Sequence, residues 1–224
     1  MINGKKTAVI ICAGGIGERM GAGCPKQFME LADGTSMIRK TVDAFRLEAV
    51  RDLVDIIVVT APEGFEGETE RLVNERPFDG EHAHVITGGK VRQDSVRNAL
   101  MFLRGSVSDD DMVLIHDGAR PYVTADIIKG VAGSALENGA AIAAVPVKDT
   151  IRDMECGTLD RSRLYSVQTP QGFRFGLIRE AVDKAYEDGF YGTDDGSLAE
   201  RAGVMPVIVS GSYANIKITT PEDL

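Results

Sequence analysis

Short apolar runs alternate along this chain with stretches whose apolar residues recur at helical spacing. Residues 8–12 (AVIIC), 55–60 (DIIVVT), 83–86, 112–115 and 140–145 have the length and branching of buried strands. Residues 36–48 place Met37, Ile38, Thr41, Val42 and Phe45 on one helical face, and 63–75 and 91–103 predict helices in the same way. Thr124 predicts the cap of a helix that runs to about Asn138. Residues 175–186 and a shorter segment ending at Arg201 predict two more helices, and 206–210 a strand. This alternation predicts an α/β fold, a doubly wound and mostly parallel sheet with helices on both faces.

Two segments break the rhythm. Residues 147–167 hold short extended pieces around a Cys156-Gly157 turn and are charged throughout, which predicts a β-hairpin arm projecting from the sheet. A hairpin that cannot bury a face alone buries it in a partner, so a homodimer is expected, with a plain surface hairpin as the alternative. At the other break, residues 215–221 read as extended. Pro221, with Glu222 and Asp223 behind it, reads as the start of a last helix that the chain cuts short. With no internal repeat or low-complexity linker, residues 1–224 are expected to form one domain carrying the arm at about 147–167.

Charge narrows the partners. A formal net charge of −9 over 224 residues argues against a general nucleic-acid or membrane surface. It leaves room for a phosphorylated small molecule, which needs only a local positive cluster. Cys12, Cys24 and Cys156 are an odd set without a C-x-x-C spacing, as in a reducing compartment. The first residues lack the apolar segment of a signal peptide and no run approaches membrane-spanning length, so a cytoplasmic protein is expected.

The candidate chemistry begins where the first apolar run ends. A glycine-dense loop follows it, with Gly14, Gly15, Gly17, Gly21 and Gly23, Arg19 within it and Pro25-Lys26 closing it. Glycine lets backbone approach a ligand, turn-like N–H groups make an anion site, and Arg19 and Lys26 add positive charge. The dinucleotide fingerprint fails because its third glycine would fall at Met20, and the P-loop fails because Gln27 follows Lys26. The plain alternative is a structural turn with surface charges. Gly88-Gly89 then precedes Arg92-Gln93-Asp94-Ser95 at a helix start, where donors could meet a base edge or phosphate, or Asp94 and Ser95 could simply cap. His116-Asp117-Gly118-Ala119-Arg120-Pro121 ends the fourth strand on the same carboxyl edge. Asp117 there can hold Mg2+ and Arg120 can meet a phosphate, against the alternative of a salt bridge; His116 reads as a packed, hydrogen-bonded histidine. Lys217 alternates with Ile216 and Ile218, and the pattern leaves open whether it faces solvent or the cleft. No Ser/His/Asp or Cys/His nucleophile system stands out.

Together these stretches resemble the cytidylyltransferases that make 4-diphosphocytidyl-2-C-methylerythritol in non-mevalonate isoprenoid synthesis. The matching pieces are AGGIGERMG with PKQF, GGKVRQDSV, LIHDGARP, PVKDT, DRSRLYSVQTPQGF, TDDGSLAE and NIKITTPEDL, in order from Ala13 to Leu224. The resemblance implies a Rossmann-like nucleotidyltransferase core, a dimerising arm, CTP as co-substrate and Mg2+. It implies Arg19, Lys26 and Lys217 as cations around the reacting phosphate, and Ala13, Gly14, Gly15, Gly88, Asp94 and Ser95 as the CTP site. Asp117 would take the metal, and Arg120, Thr150, Arg161 and Thr169 the acceptor phosphate, with Arg120 and Thr150 reaching the partner's site through the arm. Gly14 and Gly118 stand where the family often has alanine, with a looser backbone at the cleft as the expected consequence. The implied reaction is attack by a sugar-alcohol phosphate on the α-phosphorus of CTP, expelling pyrophosphate. The alternative acceptor is ribitol 5-phosphate. A non-catalytic nucleotide-binding module and a nicotinamide-dependent dehydrogenase are the rivals from other classes.

Overall fold

The computed structural model describes residues 4–15, 25–75 and 82–223. Its strands, in chain order, are β1 Thr7–Cys12, β2 Ile56–Ala61, β3 His84–Thr87, β4 Met112–Asp117, β5 Ala140–Pro146, β6 Arg152–Asp153, β7 Gly157–Thr158, β8 Tyr165–Arg174 and β9 Val207–Ser210. The helices are α1 Met37–Ala44, α2 Glu48–Arg51, α3 Glu66–Asn74, α4 Arg92–Leu103, α5 Ala125–Asn138, α6 Phe175–Glu187 and α7 Asp195–Arg201. Seven strands form one sheet in the order β3-β2-β1-β4-β8-β5-β9, and β6 and β7 form a separate antiparallel hairpin. Every pairing in the large sheet is parallel except those of β8 with β4 and β5. No described helix is long and apolar enough to cross a membrane.

The continuous apolar runs are explained by burial on both faces of the sheet. On β1, Val9 and Ile11 pack into a cluster with Ile38 and Val42 of α1 and Val131 of α5. Ala8 and Ile10 point the other way, into a cluster with Val96 and Leu100 of α4 and Ile178 and Val182 of α6. Each fully buried isoleucine or leucine contributes about 1.5–3 kcal/mol relative to an exposed one. The Thr124 cap forms as its sequence predicts: its side chain accepts from the Ile127 N–H at the start of α5. Gly139, at φ 87°, ends that helix in a conformation that favours glycine.

Three expectations are corrected. The helix expected over 36–48 divides, because α1 stops at Ala44 and α2 starts at Glu48. The C-terminal segment expected to start a helix makes only a 3-10 turn at Pro221–Asp223. The largest correction is β8, a central strand where the sequence suggested only the end of an arm. Its inner half, QTPQGF, is polar, and it contains a proline that cannot donate to a ladder and a glycine that weakens a strand. It is nevertheless buried, and the β5–β8 register shifts between Ile142 and Ala144, opposite the stretch that contains Pro170. Residues 165–167 therefore belong to the sheet, and the projecting hairpin is confined to the segment before them.

The sheet order reverses between β1 and β4, whose last residues Cys12 and Asp117 are partners in register. In open α/β sheets ligands bind outside the carboxyl ends of strands at such a switch point.

Candidate active site

At this edge two clefts meet. One, about 280 Å³, is walled by Ala13, Gly14 and Gly15 after β1, by Gly89 to Arg92 at the start of α4, and by Lys26. The other, about 460 Å³, lies over β8 and the start of α7 and includes Arg120, Thr169, Thr193 and Asp194. Arg92, Asp117 and Lys217 line both. A larger groove of about 850 Å³ lies between α1 and α3, away from this edge. Its arginines are already paired, Arg39 with Asp43 and Glu75, and Arg71 with Glu68.

The first cleft is built largely of backbone. The Ala13 N–H donates to Thr60 O at 3.1 Å, continuing the β1–β2 pairing past the strand end. The buried Gln27 amide donates to Ala13 O at 2.7 Å and Gly15 O at 3.1 Å, so the side chain after Lys26 holds the start of the glycine loop. Across from it, the Gly88 N–H donates to Ala61 O and the Gly89 N–H to Ser95 Oγ. Glycine is required there. A Cβ on Gly89 would lie 2.2 Å from Asp94 Cβ, and one on Gly88 would lie 3.0 Å from Gly14 Cα and 3.1 Å from Ala61 O. The Ser95 hydroxyl also donates to Val91 O, so it fixes this turn as well as lining the cleft. Gly88 and Asp94, also proposed from sequence, line neither cleft.

The second cleft is built of side chains from distant segments. His116 is fully buried. Its Nδ1 accepts from the Thr169 hydroxyl at 3.0 Å while the Asp117 N–H donates to that same oxygen, which leaves Nε2 to donate to Arg120 O at 3.1 Å. The imidazole is therefore neutral; burial pushes its pKa down to about 4. The Arg120 guanidinium donates to Asn215 O at 2.6 Å, and the Asn215 amide donates to Thr169 O at 2.9 Å. This closed circuit fastens β4, β8 and the C-terminal segment to one another. The Ile218 N–H adds a bond to Ala119 O. With Ile218 buried, Lys217 turns into the cleft, and its Nζ lies 2.7 Å from Asp117 Oδ2. That answers the orientation the alternation left open.

Charge concentrates where the clefts meet. Arg92 Nε donates to Asp117 Oδ1 at 2.9 Å and its Nη2 to Asp195 Oδ2 at 2.7 Å. Arg120 Nε lies 3.9 Å from Asp117 Oδ2. Burial alone would raise the Asp117 carboxyl, but Arg92 and Lys217 hold it well below the usual carboxylate range. Burial raises the Asp195 carboxyl above its ordinary range against the pull of Arg92. Cys12, beside Asp117 in the ladder, is pushed up to about 12 by burial and stays a thiol. Lys26 reaches the same region by donating to Ile218 O at 3.0 Å.

Of the residues proposed from sequence, Ala13, Gly14, Gly15, Lys26, Ser95, Asp117, Arg120, Thr169 and Lys217 line one cleft or the other. Arg19 lies outside the described residues. Thr150 and Arg161 sit on the exposed hairpin segment and line neither cleft; Arg161 donates to Lys148 O at 2.5 Å. Sequence reasoning passed over Arg92, Asp195, Gln27, Gln171 and Asn215. Arg92 did carry a signal: it is the first residue of α4, where the helix dipole disfavours a cation. Gln171 accepts from the Gly196 N–H and donates to Asp194 Oδ2, and Asp194 caps α7 with Ser197 in a capping box. These bonds set the place of Asp195.

A family model described as 2-C-methyl-D-erythritol 4-phosphate cytidylyltransferase matches residues 7–224. A protein of that name from Bacillus cereus is 45% identical over 221 residues, covering 96% of this chain and 93% of the relative. Among solved structures, the Francisella tularensis enzyme of that name superposes with a TM-score of 0.81 at 31% identity, covering 97% of this chain and 96% of that one. The 4-diphosphocytidyl-2C-methyl-D-erythritol synthase of Anaerococcus prevotii gives 0.85 at 29% identity, covering 99% and 94%.

Proposed function

The chain belongs to the 2-C-methyl-D-erythritol 4-phosphate cytidylyltransferase family, nucleotidyltransferases of isoprenoid biosynthesis that move a cytidylyl group from CTP, and from that premise we propose how its residues divide the work. Methylerythritol 4-phosphate is the acceptor the family points to; ribitol 5-phosphate is not favoured. The first cleft receives CTP against the backbone of Ala13 to Gly15 and the Gly88-Gly89 turn, with Ser95 and Asp94 supporting that turn. The second receives the polyol phosphate beside Thr169 and Arg120.

The observation that carries this division is that Arg92, Asp117 and Lys217 line both clefts. An oxygen of the acceptor phosphate attacks the α-phosphorus in line, the bond to the bridging oxygen breaks, and pyrophosphate leaves. The attacking oxygen is already anionic, so no proton need be removed. The site fits that requirement: His116 is bonded at both nitrogens and Cys12 is held as a thiol. Catalysis then rests on position and on fixed charge at the oxygens where charge develops. Lys26 and Arg19 serve the triphosphate. Lys217, now on Asp117, is drawn to the phosphates where the clefts meet.

Magnesium is part of this reading. Asp117 is ionised and opens on both clefts, and no cluster of three or more His, Cys, Asp or Glu stands among the described residues. A single carboxylate suits a hard cation that takes few protein oxygens and completes its shell with phosphates and water. When bound, the ion neutralises triphosphate charge and orients the chain of phosphates.

Arg120, expected with Thr150 to reach a partner's site, follows β4 and lines this chain's own cleft. Thr150 and Arg161 on the arm are therefore the residues assigned to the acceptor phosphate of a second copy, reached when the arm docks there in a homodimer. The exposed Met154, at 94%, and Ile151 on the arm support a covered face. The enzyme is placed in the cytoplasm, where the free Cys12 and Cys156 suit a reducing medium.

The test is pyrophosphate release with CTP and Mg2+, using methylerythritol 4-phosphate in one tube and ribitol 5-phosphate in another. Release with the first alone is expected; release with the second alone would overturn the acceptor. For the arm, a mixture of Arg161→Ala and Lys217→Ala proteins, each nearly inactive alone, should regain activity through mixed dimers. No regain in a mixture shown to exchange subunits would remove the shared site.

A further inference from the structure

We infer that Arg92 and Asp195 form a positioning couple that aims Asp117 at the junction of the two clefts. The inference rests on the cytidylyltransferase reading above and adds to it what Arg92, which lines both clefts, and Asp195, which lines neither, do for Asp117. Asp195 is out of reach of a ligand: its side chain is 1% exposed, and its Oδ2 accepts from Arg92 Nη2 at 2.7 Å. Arg92 turns its Nε to Asp117 Oδ1 at 2.9 Å, while Lys217 takes Oδ2 at 2.7 Å. One planar guanidinium thus bridges a buried carboxylate and a cleft carboxylate, a geometry a lysine cannot reproduce.

Each half of the couple is costly alone. A cation at the first position of α4 faces the positive end of the helix dipole. A buried carboxylate is disfavoured unless paired and hydrogen-bonded. An apolar pair would tie α4 to α7 at less cost. The arrangement makes sense through what it does to Asp117. With Oδ1 held by Arg92, the carboxylate cannot rotate, and Oδ2 stays turned toward Lys217 and Arg120. Asp195 also draws Arg92 back, so the guanidinium does not close with two bonds on Asp117. Its own place is over-determined by Gln171 and the capping box at the start of α7. This gives the TDDG stretch a second role besides its cap, sited where the reacting phosphates meet.

The experiment measures kcat and both KM values, with melting temperature, for Arg92→Gln, Arg92→Lys, Asp195→Asn and the double variant Arg92→Gln/Asp195→Asn. Arg92→Gln should lower kcat by on the order of 10–100-fold with KM for CTP changed by less than about threefold, as expected when a reacting group is misplaced. Asp195→Asn should lower kcat about tenfold. The double variant should be no worse than Arg92→Gln alone, because Asp195 acts only through Arg92. Arg92→Lys, which keeps the charge and stands in for Arg92→Gln should that variant fail to fold, should recover no more than about threefold. A lowered melting temperature with unchanged kcat would reduce the couple to a structural tie. Multiplying single effects would show that Asp195 acts independently, and full recovery by lysine would show that charge alone matters. A second readout is independent of turnover: the Arg92 Nε–Hε resonance should shift in both Asp195→Asn and Asp117→Asn. A resonance unmoved in either variant overturns the couple even in a protein inactive on methylerythritol phosphate, whereas that inactivity in the wild type overturns only the reading of function.

Discussion

The two clefts that meet at Asp117 are made of different material. The first cleft, assigned above to CTP, is mostly main chain: three consecutive residues after β1 and the Gly89 turn before α4, tied by the Ala13 N–H to β2, by Gln27 to Ala13 and Gly15, and by the Gly89 N–H to Ser95. The second cleft, assigned above to the acceptor, is side chains brought from β4, β8, α7 and the C-terminal segment, with β4, β8 and the C-terminal segment fastened in a circuit. Main chain recognises what every nucleotide triphosphate shares, and a glycine turn can present it without help from afar. A polyol phosphate is recognised by placed hydroxyls and cations, and those need a scaffold that holds distant segments in register. One cleft should therefore fail by crowding or loss of a charge, the other by loosening.

The largest effect belongs to the charges at the junction. Lys26→Ala should reduce turnover by on the order of 10²–10³, by analogy with removal of one oxyanion donor. Retention of more than a tenth of wild-type kcat would remove Lys26 from the transition state and leave it a structural part that includes its bond to Ile218 O.

The acceptor side should show itself next, through His116. Its folded pKa, pushed down to about 4 by burial, lies below the ordinary value of 6.5. Between those values the unfolded chain binds a proton that the folded chain refuses, so stability is complete above about pH 6.5 and falls as pH drops toward 4. The loss amounts to roughly 3 kcal/mol over that window. Urea unfolding at pH 7.5 and pH 5 reads about 2 kcal/mol of that loss, and His116→Gln should flatten the difference. An equal slope in the variant would assign the loss to other groups.

Asn215→Ala comes third. It removes the amide that bonds Thr169 O and Gln168 Oε1; Gln168 Oε1 keeps the Ser212 N–H, but the buried Thr169 O loses the Asn215 donor, at a cost of about 1–3 kcal/mol. The KM for the acceptor should rise several-fold while that for CTP stays within about twofold. Equal changes in both would mean that the circuit supports the whole edge and that the two clefts are not mechanically separate.

The same division decides what could be read from sequence. The glycine loop, the glycine pair and HDGARP are contiguous, and their placement at strand ends follows from the apolar runs before them. The acceptor side was largely hidden. β8 lacks a strand's composition because its inner positions are glutamines and a threonine, buried by β4 and β5 on either side and satisfied through partners in α7 and the C-terminal segment. Arg92 meets Asp195 across 103 positions, and Arg120 meets Asn215 across 95. Local pattern carries nothing about such pairs. Only the dipole argument against an arginine at the start of α4 hinted at one, and resemblance supplied the positions on the arm.

The smallest expected effect tests the main-chain cleft by its tolerance. A Cβ at Gly14 would meet Ser95 Oγ at 3.0 Å and Gly88 Cα at 3.2 Å, contacts that a shift of a few tenths of an ångström can relieve. Gly14→Ala should raise KM for CTP by less than about threefold and change stability by under about 1 kcal/mol, at the low end of overpacking costs. Gly88→Ala, whose Cβ would press on the backbone of both Gly14 and Ala61, should be clearly worse by the same two measures. The order of the pair is the informative result. If Gly14→Ala is the more damaging, the loop cannot give at all, and the ligand approaches its main chain closely enough that even a methyl group displaces it.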